Sequence, residues 1–257
     1  GQHDTVTAAS HGEQIAATNF SVTHDVLLHR KLNTQYTVRA CDKSACGPSA
    51  SVQPDVTRAI GYFKASNTDA DDRFGLDVAL SADGTTLAVS APSEDGAGKG
   101  TNADPHEKGQ AGSGAVFVYV RTGGIWKQQA YIKASNTQLG DSFGAIALSA
   151  VGNTLAVGAP GEDGAGSGIN GDQSGEVLAS GAVYVFTREA GNWSQQAYIK
   201  ASNPDEFDRF GLAVVLSGDG NTLAVGVPEE DSITPLNPDD DSAEAAGAVY
   251  VFHRAAG

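Results

Sequence analysis

At 257 residues, 40% of them hydrophobic, the chain is long enough for one large or two ordinary domains with a packed core. A formal net charge of -15 argues against nucleic acid or an anionic membrane surface as partner, since each needs a basic footprint; cations and basic surfaces suit it better. No apolar run reaches the roughly 18 residues of a membrane-spanning helix.

The opening GQHDTVTAAS has neither the basic region nor the apolar core of a signal peptide, and the sequence contains no Met, so it reads as a mature form or an internal piece of a longer polypeptide. Residues 1–18 show no periodicity and are expected to be loop or a broken first strand. Side chains alternate with the period of a strand from Asn19 to Leu28 and from Gln35 to Cys41, and Ser49 to Val52 follows as a further strand after Gly47-Pro48. Cys41 and Cys46, the only cysteines, could close a small hairpin disulfide, which would suit an exported protein, or remain two free thiols. Without a second cysteine pair or a nearby histidine they make a poor zinc site. His24, His29 and Arg30 read as surface residues.

From residue 62 the chain repeats itself, a feature that takes precedence over other readings. YFKASN at Tyr62 returns as YIKASN at Tyr131 and Tyr198, spacings of 69 and 67 residues, and Phe74-Gly75 returns as Phe143-Gly144 and Phe210-Gly211 in step. The runs LAVSAP, LAVGAP and LAVGVP begin at Leu87, Leu155 and Leu223, and each precedes an acidic Gly-rich loop and a GAVYVF-like run. Each unit is predicted to hold four strands, which in the first are Phe74 to Ser81, Thr86 to Ala91, Ala115 to Val120 and Ile125 to Ala134. Asp83-Gly84 and Asp219-Gly220 carry the signal of a tight hairpin turn. No segment predicts a helix of any length.

An antiparallel four-stranded unit with two apolar inner strands buries both faces only against its neighbours, which is the requirement of a propeller blade. The fold class is therefore all-β. The small residues of the LAVGAP strand allow close approach of adjacent sheets, and its proline ends the strand. Phe74, Phe143 and Phe210 are expected as wedges between blades, and Trp126, Trp193, Tyr131 and Tyr198 as packing on the outer strand. Lys64, Lys133 and Lys200 recur in that outer strand, where lysines discourage edge-to-edge pairing.

Phe-Gly, then Gly-Ala-Pro, then G-A-V-Y-V-F resembles the FG-GAP repeat of integrin alpha-subunit propellers and of many bacterial surface proteins. The resemblance covers residues 60–257. It implies a β-propeller, commonly of seven blades, in a binding or adhesion module at the cell surface. Three copies fall short of that number and of the usual four to eight blades, so a partial ring, or one completed by other copies, is expected. The run YTVRACDKSACGPSASV similarly resembles the last two strands of a fibronectin type III domain, with Tyr36 as its core tyrosine, although a whole sandwich needs about 90 to 100 residues. The expected domains are 1–58, a fibronectin-like β-sandwich fragment, and 59–257, with repeats 62–130, 131–197 and 198–257.

In an antiparallel blade the loops from strand 2 to strand 3 and from strand 4 to the next blade share one rim. Most of the 31 acidic residues fall there: Asp69, Asp71, Asp72, Glu94, Asp95, Asp104 and Glu107; then Asp141, Glu162, Asp163, Asp172 and Glu176; then Asp205, Glu206, Asp208, Glu229, Glu230, Asp231, Asp239, Asp240, Asp241 and Glu244. Within them a pattern recurs: Glu94, Asp95 and Asp104; Glu162, Asp163 and Asp172; Glu230, Asp231 and Asp240, with Asn102, Asn170 and Asn237. Such oxygens could converge on a hard cation such as Ca2+, which takes six to eight oxygen ligands, or could satisfy the backbone of solvated loops. Many FG-GAP repeats hold calcium in the 1-2 turn; SADGTT, SAVGNT and SGDGNT retain only Asp83 and Asp219 there, so those sites are expected to be missing.

No nucleophile elbow, phosphate-cradling loop, HExxH or Cys/His metal spacing is present, and the six histidines do not recur in phase. The chain is not expected to be an enzyme. The reading is a secreted or cell-surface binding and adhesion module that meets protein, glycan or copies of itself. A structural subunit of an extracellular fibre, sheath or homo-oligomer, and a non-catalytic domain of a larger secreted enzyme, are the alternatives.

Overall fold

A computed structural model describes residues 36–38, 50–52, 62–234, 240 and 242–255. The chain divides into two units, Gly1–Gly61 and Tyr62–Gly257. In the first, β1 (Tyr36–Val38) and β2 (Ala50–Val52) pair antiparallel with Tyr36 opposite Val52. Any antiparallel sheet contains such a pair, so it does not single out a fibronectin domain. The strand predicted over 19–28 and the Cys41–Cys46 pair lie outside the described residues.

In the second unit, every regular element among the described residues is a strand. Blade 1 holds β3 (Val78–Leu80), β4 (Thr86–Ala91), β5 (Ala115–Thr122) and β6 (Ile125–Ile132) in that spatial order. Blade 2 holds β7 (Ala145–Leu148), β8 (Thr154–Ala159), β9 (Ala182–Glu189) and β10 (Asn192–Ile199), and blade 3 holds β11 (Ala213–Leu216), β12 (Thr222–Val227) and β13 (Ala248–His253). All neighbours are antiparallel.

Local chemistry sets the 1-2 turns. Asp83 Oδ1 accepts from the Ser81 hydroxyl (2.6 Å) and the Thr85 amide (3.0 Å), and Gly84 takes a φ of 67° that other residues avoid. Asp219 does the same with Ser217 (2.5 Å) and Asn221 (3.0 Å). Both aspartates of the 1-2 turns therefore close their own hairpins.

The first strands are shorter than predicted, because Phe-Gly stands apart from the pleat. Phe143 and Phe210 are fully buried and Phe74 half-buried. Each ring meets the edge of an aromatic ring on the third strand: Phe74 on Phe117 at 5.4 Å, Phe143 on Tyr184 at 5.4 Å, Phe210 on Tyr250 at 5.5 Å. Phe143 also packs with Val116 and Val118 of blade 1, and Phe210 with Val183 and Val185 of blade 2, so the wedge reading holds for these two, whereas Phe74, among the described residues, packs within blade 1 alone.

Between blades, small residues permit backbone contact. A Cβ on Gly158 would lie 1.9 Å from the Gly211 carbonyl oxygen of blade 3. The 1-2 turns are linked in series, Ala82 N–H to Ala150 O and Ala150 N–H to Gly218 O, both at 2.8 Å. On the opposite rim Phe143 N–H donates to Ser113 O and Phe210 N–H to Ser180 O, both at 3.0 Å. Tyr62 to Asn67, the first copy of the outer-strand motif, forms no strand: it packs Phe63 on Tyr119 and Trp126 of blade 1, but among the described residues no strand pairs with it.

Candidate functional site

The rim built from the 2-3 loops and the 4-1 turns carries the recurring acids, and the fold sorts them by depth. The apolar second strand runs out at its proline, and the glutamate after it turns inward. Glu94 is fully buried, Glu162 1% exposed and Glu230 2% exposed. Lys133 Nζ sits 2.9 Å from Glu94 Oε2, and Lys200 Nζ 2.8 Å from Glu162 Oε2, with both ammonium groups fully buried. Each lysine also donates to a serine at the head of the third strand, Ser113 at 2.7 Å and Ser180 at 2.6 Å.

This corrects the edge-strand reading of the lysines. Only Lys64 is exposed; Lys133 and Lys200 end the fourth strand and reach under the loop, because a buried carboxylate without a partner would cost several kcal/mol. The same glutamates take a second donor from the neighbouring blade. Asn67 Nδ2 donates to Glu94 Oε1 and Asn136 Nδ2 to Glu162 Oε1, both at 2.6 Å, and Asn203 Nδ2 to Glu230 Oε1 at 3.3 Å. The Tyr198 hydroxyl donates to Glu162 Oε1 at 2.9 Å. Lys200 and Tyr198 of one copy of the motif and Asn136 of the preceding copy thus converge on Glu162, tying strand 4 and the preceding blade to the 2-3 loop, and Glu94 takes Lys133 and Asn67 in the same way.

Burial works against the Glu94 carboxylate, but the charge and hydrogen bond of Lys133 and the Gly96 amide overcome it and hold the carboxyl below its ordinary range. Burial lowers both lysines, opposed by their glutamate partners.

The aspartate after each glutamate closes its loop. Asp95 Oδ1 accepts the Gly112 amide at 2.9 Å, Asp163 Oδ1 the Ala179 amide at 2.7 Å and Asp231 Oδ1 the Ala245 amide at 2.6 Å. Further out, Asp104 caps His106 N–H and Asp172 caps Ser174 N–H, both at 2.9 Å. Asp240 is half-buried. The nine carboxylates expected as a cation set therefore lie at three depths, and among the described residues no three His, Cys, Asp or Glu side chains gather around a common point. Asn102 and Asn170, with φ of 56° and 54°, accept the Tyr131 and Tyr198 amides through Oδ1 and pin the loop to the outer strand.

A second buried acid precedes each Phe-Gly. Asp72, Asp141 and Asp208 accept the amides of Asp69 (2.8 Å), Gln138 (2.7 Å) and Asp205 (3.0 Å). Burial, with Glu162 and Asp163 nearby, pushes Asp141 up to about 7, and burial lifts Asp208 to about 6. The signal for these sets was in the sequence: polar residues recurring in phase with recurring acids.

What remains exposed on the rim is an outer row that includes Asp69, Asp104, Glu107, Asp172, Glu176, Glu206, Glu229 and Glu244. Lys108 stands 3.7 Å from both Asp69 and Glu94, and Lys99, Arg73 and Arg209 are exposed on the same loops. Such a row attracts cationic groups.

The FG-GAP repeat family matches residues 126–186 and 193–252. No curated protein matches the chain. Among solved structures, a hypothetical selenium-binding protein from Sulfolobus tokodaii aligns at 11% identity and a TM-score of 0.38, over 73% of this chain and 39% of its own. The chain spans well under half of that protein, and the likeness carries no argument about function. The sequence motifs, the in-phase blades and the family match agree in one respect: residues 126–186 and 193–252 each match the FG-GAP repeat.

Proposed function

We propose that the chain is a non-catalytic binding and adhesion module, secreted or held at a cell surface, that meets its partner on the outer acidic row of the 2-3 loop rim. One observation carries this: the inner acids of the rim are matched to lysines, asparagines and backbone amides, whereas Glu107, Glu176, Glu206 and Glu229 face solvent. Loops held by a rigid scaffold are where binding residues concentrate. A basic protein surface suits this charge.

The test is binding of a fluorescent oligolysine peptide and of whole cells to beads coated with the 257-residue chain, with Ca2+ and with chelator, since exposed carboxylates are hard donors. Reversing Glu107, Glu176, Glu206 and Glu229 to Lys should weaken both at least ~10-fold with an unchanged melting temperature. Equal binding by the reversed chain would remove the rim from the account.

The second reading, a structural subunit of a fibre, sheath or homo-oligomer, is favoured by a different observation: Val249 and Val251 on blade 3 are 70% and 66% exposed.

A further inference from the structure

The contacts between blades 1 and 2 and between blades 2 and 3 follow one template, and both ends of the stack carry an unused half of it. On the third strand, Val116 and Val183 are fully buried by the next blade, whereas their counterpart Val249 is 70% exposed. Val118 and Val185 are buried, and Val251 is 66% exposed. At the other end, Ile146 on the first strand of blade 2 is 6% exposed, and its counterpart Val78 in blade 1 is 60% exposed.

Glycines tell the same story. Gly152 and Gly220 approach Thr86 and Thr154 of the preceding blade, where a Cβ would come within 2.8 Å of each hydroxyl, but around Gly84 and Gly75 there is nothing within 4 Å. Gly226 occupies the place of Gly158, yet a Cβ there would meet only Ala213 of its own sheet, at 3.3 Å. The backbone is open in matching places. Arg73 and Phe74 amides, equivalent to Arg209 and Phe210, have no acceptor among the described residues, and the Ala245 and Ala246 carbonyls stand where Ala179 and Ser180 accept.

Charge completes the match. Glu230 is buried and has no cation beside it among the described residues, whereas Lys64, the counterpart of Lys133 and Lys200, is exposed with no carboxylate beside it. Tyr62, the counterpart of Tyr131 and Tyr198, is 86% exposed. Tyr250 stands where Tyr184 holds Tyr198 at 5.3 Å.

We propose that a second copy of the chain fills this face head to tail: its segment Tyr62–Asn67 runs as the fourth strand beside β13, Lys64 meets Glu230, and its β3 face covers Val249 and Val251. Strand addition supplies backbone hydrogen bonds and the lysine–glutamate pair sets the register. The contact is heterologous, so it propagates until it closes; two copies closing would place six blades in a ring, within the range propellers use. Ala246 stands where Ser113 and Ser180 hold the lysine in blades 1 and 2, so this pair has one donor–acceptor contact fewer. The interface is independent of what the acidic rim binds and gives the assembly reading its contact.

Sedimentation velocity of the full chain over about a hundred-fold concentration range tests it. The expected result is a species of twice the 26.2 kDa chain mass or more. Val251→Glu and Lys64→Glu alter side chains exposed in the single chain, so each should keep its melting curve while weakening association at least ~10-fold. Mixing the two variants pairs an intact blade 3 face with an intact Tyr62–Leu80 face, and a dimer should return. A 26.2 kDa species throughout overturns the proposal and leaves the face to another segment or partner. Association indifferent to both substitutions overturns it equally, even if the rim variants lose adhesion.

Discussion

Lys133 and Glu94, 39 residues apart in sequence, meet at 2.9 Å with neither side chain exposed to solvent. The pair joins the end of strand 4 to the loop between strands 2 and 3, and Lys200 with Glu162 repeats it one blade on. Removing one partner of a buried pair leaves an uncompensated charge. Lys133→Met is expected to lower stability by about 3–5 kcal/mol, and Lys200→Met comparably. Lys64→Met should leave the melting temperature of the single chain unchanged. Chemical denaturation of the three variants checks this; an unchanged midpoint for Lys133→Met would return the lysines to the role of edge protection.

Asp141 gives a pH dependence. Its folded pKa, raised to about 7 by burial and by Glu162 and Asp163, lies above the ordinary carboxylate value, so between about 4 and about 7 the folded chain holds a proton that the unfolded chain has lost. Unfolding free energy therefore falls as pH rises through that window. Asp141→Asn keeps an oxygen for the Gln138 amide and removes the ionisation, so it should flatten this slope and raise the melting temperature at pH about 8. Asp208, raised to about 6, contributes in the same direction over a narrower window. Identical pH–stability curves for wild type and Asp141→Asn would contradict the assignment.

Gly158 and Gly226 occupy the same place in successive blades but face different surroundings. An added methyl at Gly158 collides with the Gly211 backbone, whereas at Gly226 it meets Ala213 at 3.3 Å. Gly158→Ala should cost about 1–3 kcal/mol by forcing blades 2 and 3 apart, and Gly226→Ala much less in the single chain. Urea midpoints of the two variants separate the cases; equal losses would mean the blades are not stacked through these glycines.

Much of this was legible. Thr86–Ala91 was predicted to the residue because an apolar run bounded by an Asp-Gly turn and a proline leaves little freedom, and the phenylalanine wedges followed from recurrence in phase. The lysines were misplaced because lysine is rarely buried, and periodicity alone cannot distinguish a buried ion pair from a charged edge. Pairing two columns that recur in phase, Glu94, Glu162 and Glu230 with Lys64, Lys133 and Lys200, would have found it. Tyr62 to Asn67 carries the strand motif but forms no strand, because strand structure requires a partner that the local sequence does not supply.

The central claim is that the rim acids divide into an inner set that holds the blades and an outer set free to bind. Thermal melting and oligolysine binding measured on the same samples test it most directly, comparing Glu94→Gln and Glu162→Gln with Glu107→Gln and Glu176→Gln. The account predicts that the inner pair lowers the melting temperature, each change costing about 3 kcal/mol or more, while the outer pair weakens binding and leaves melting unchanged. Outer substitutions that melt the chain, or inner ones that leave its stability intact, would contradict it.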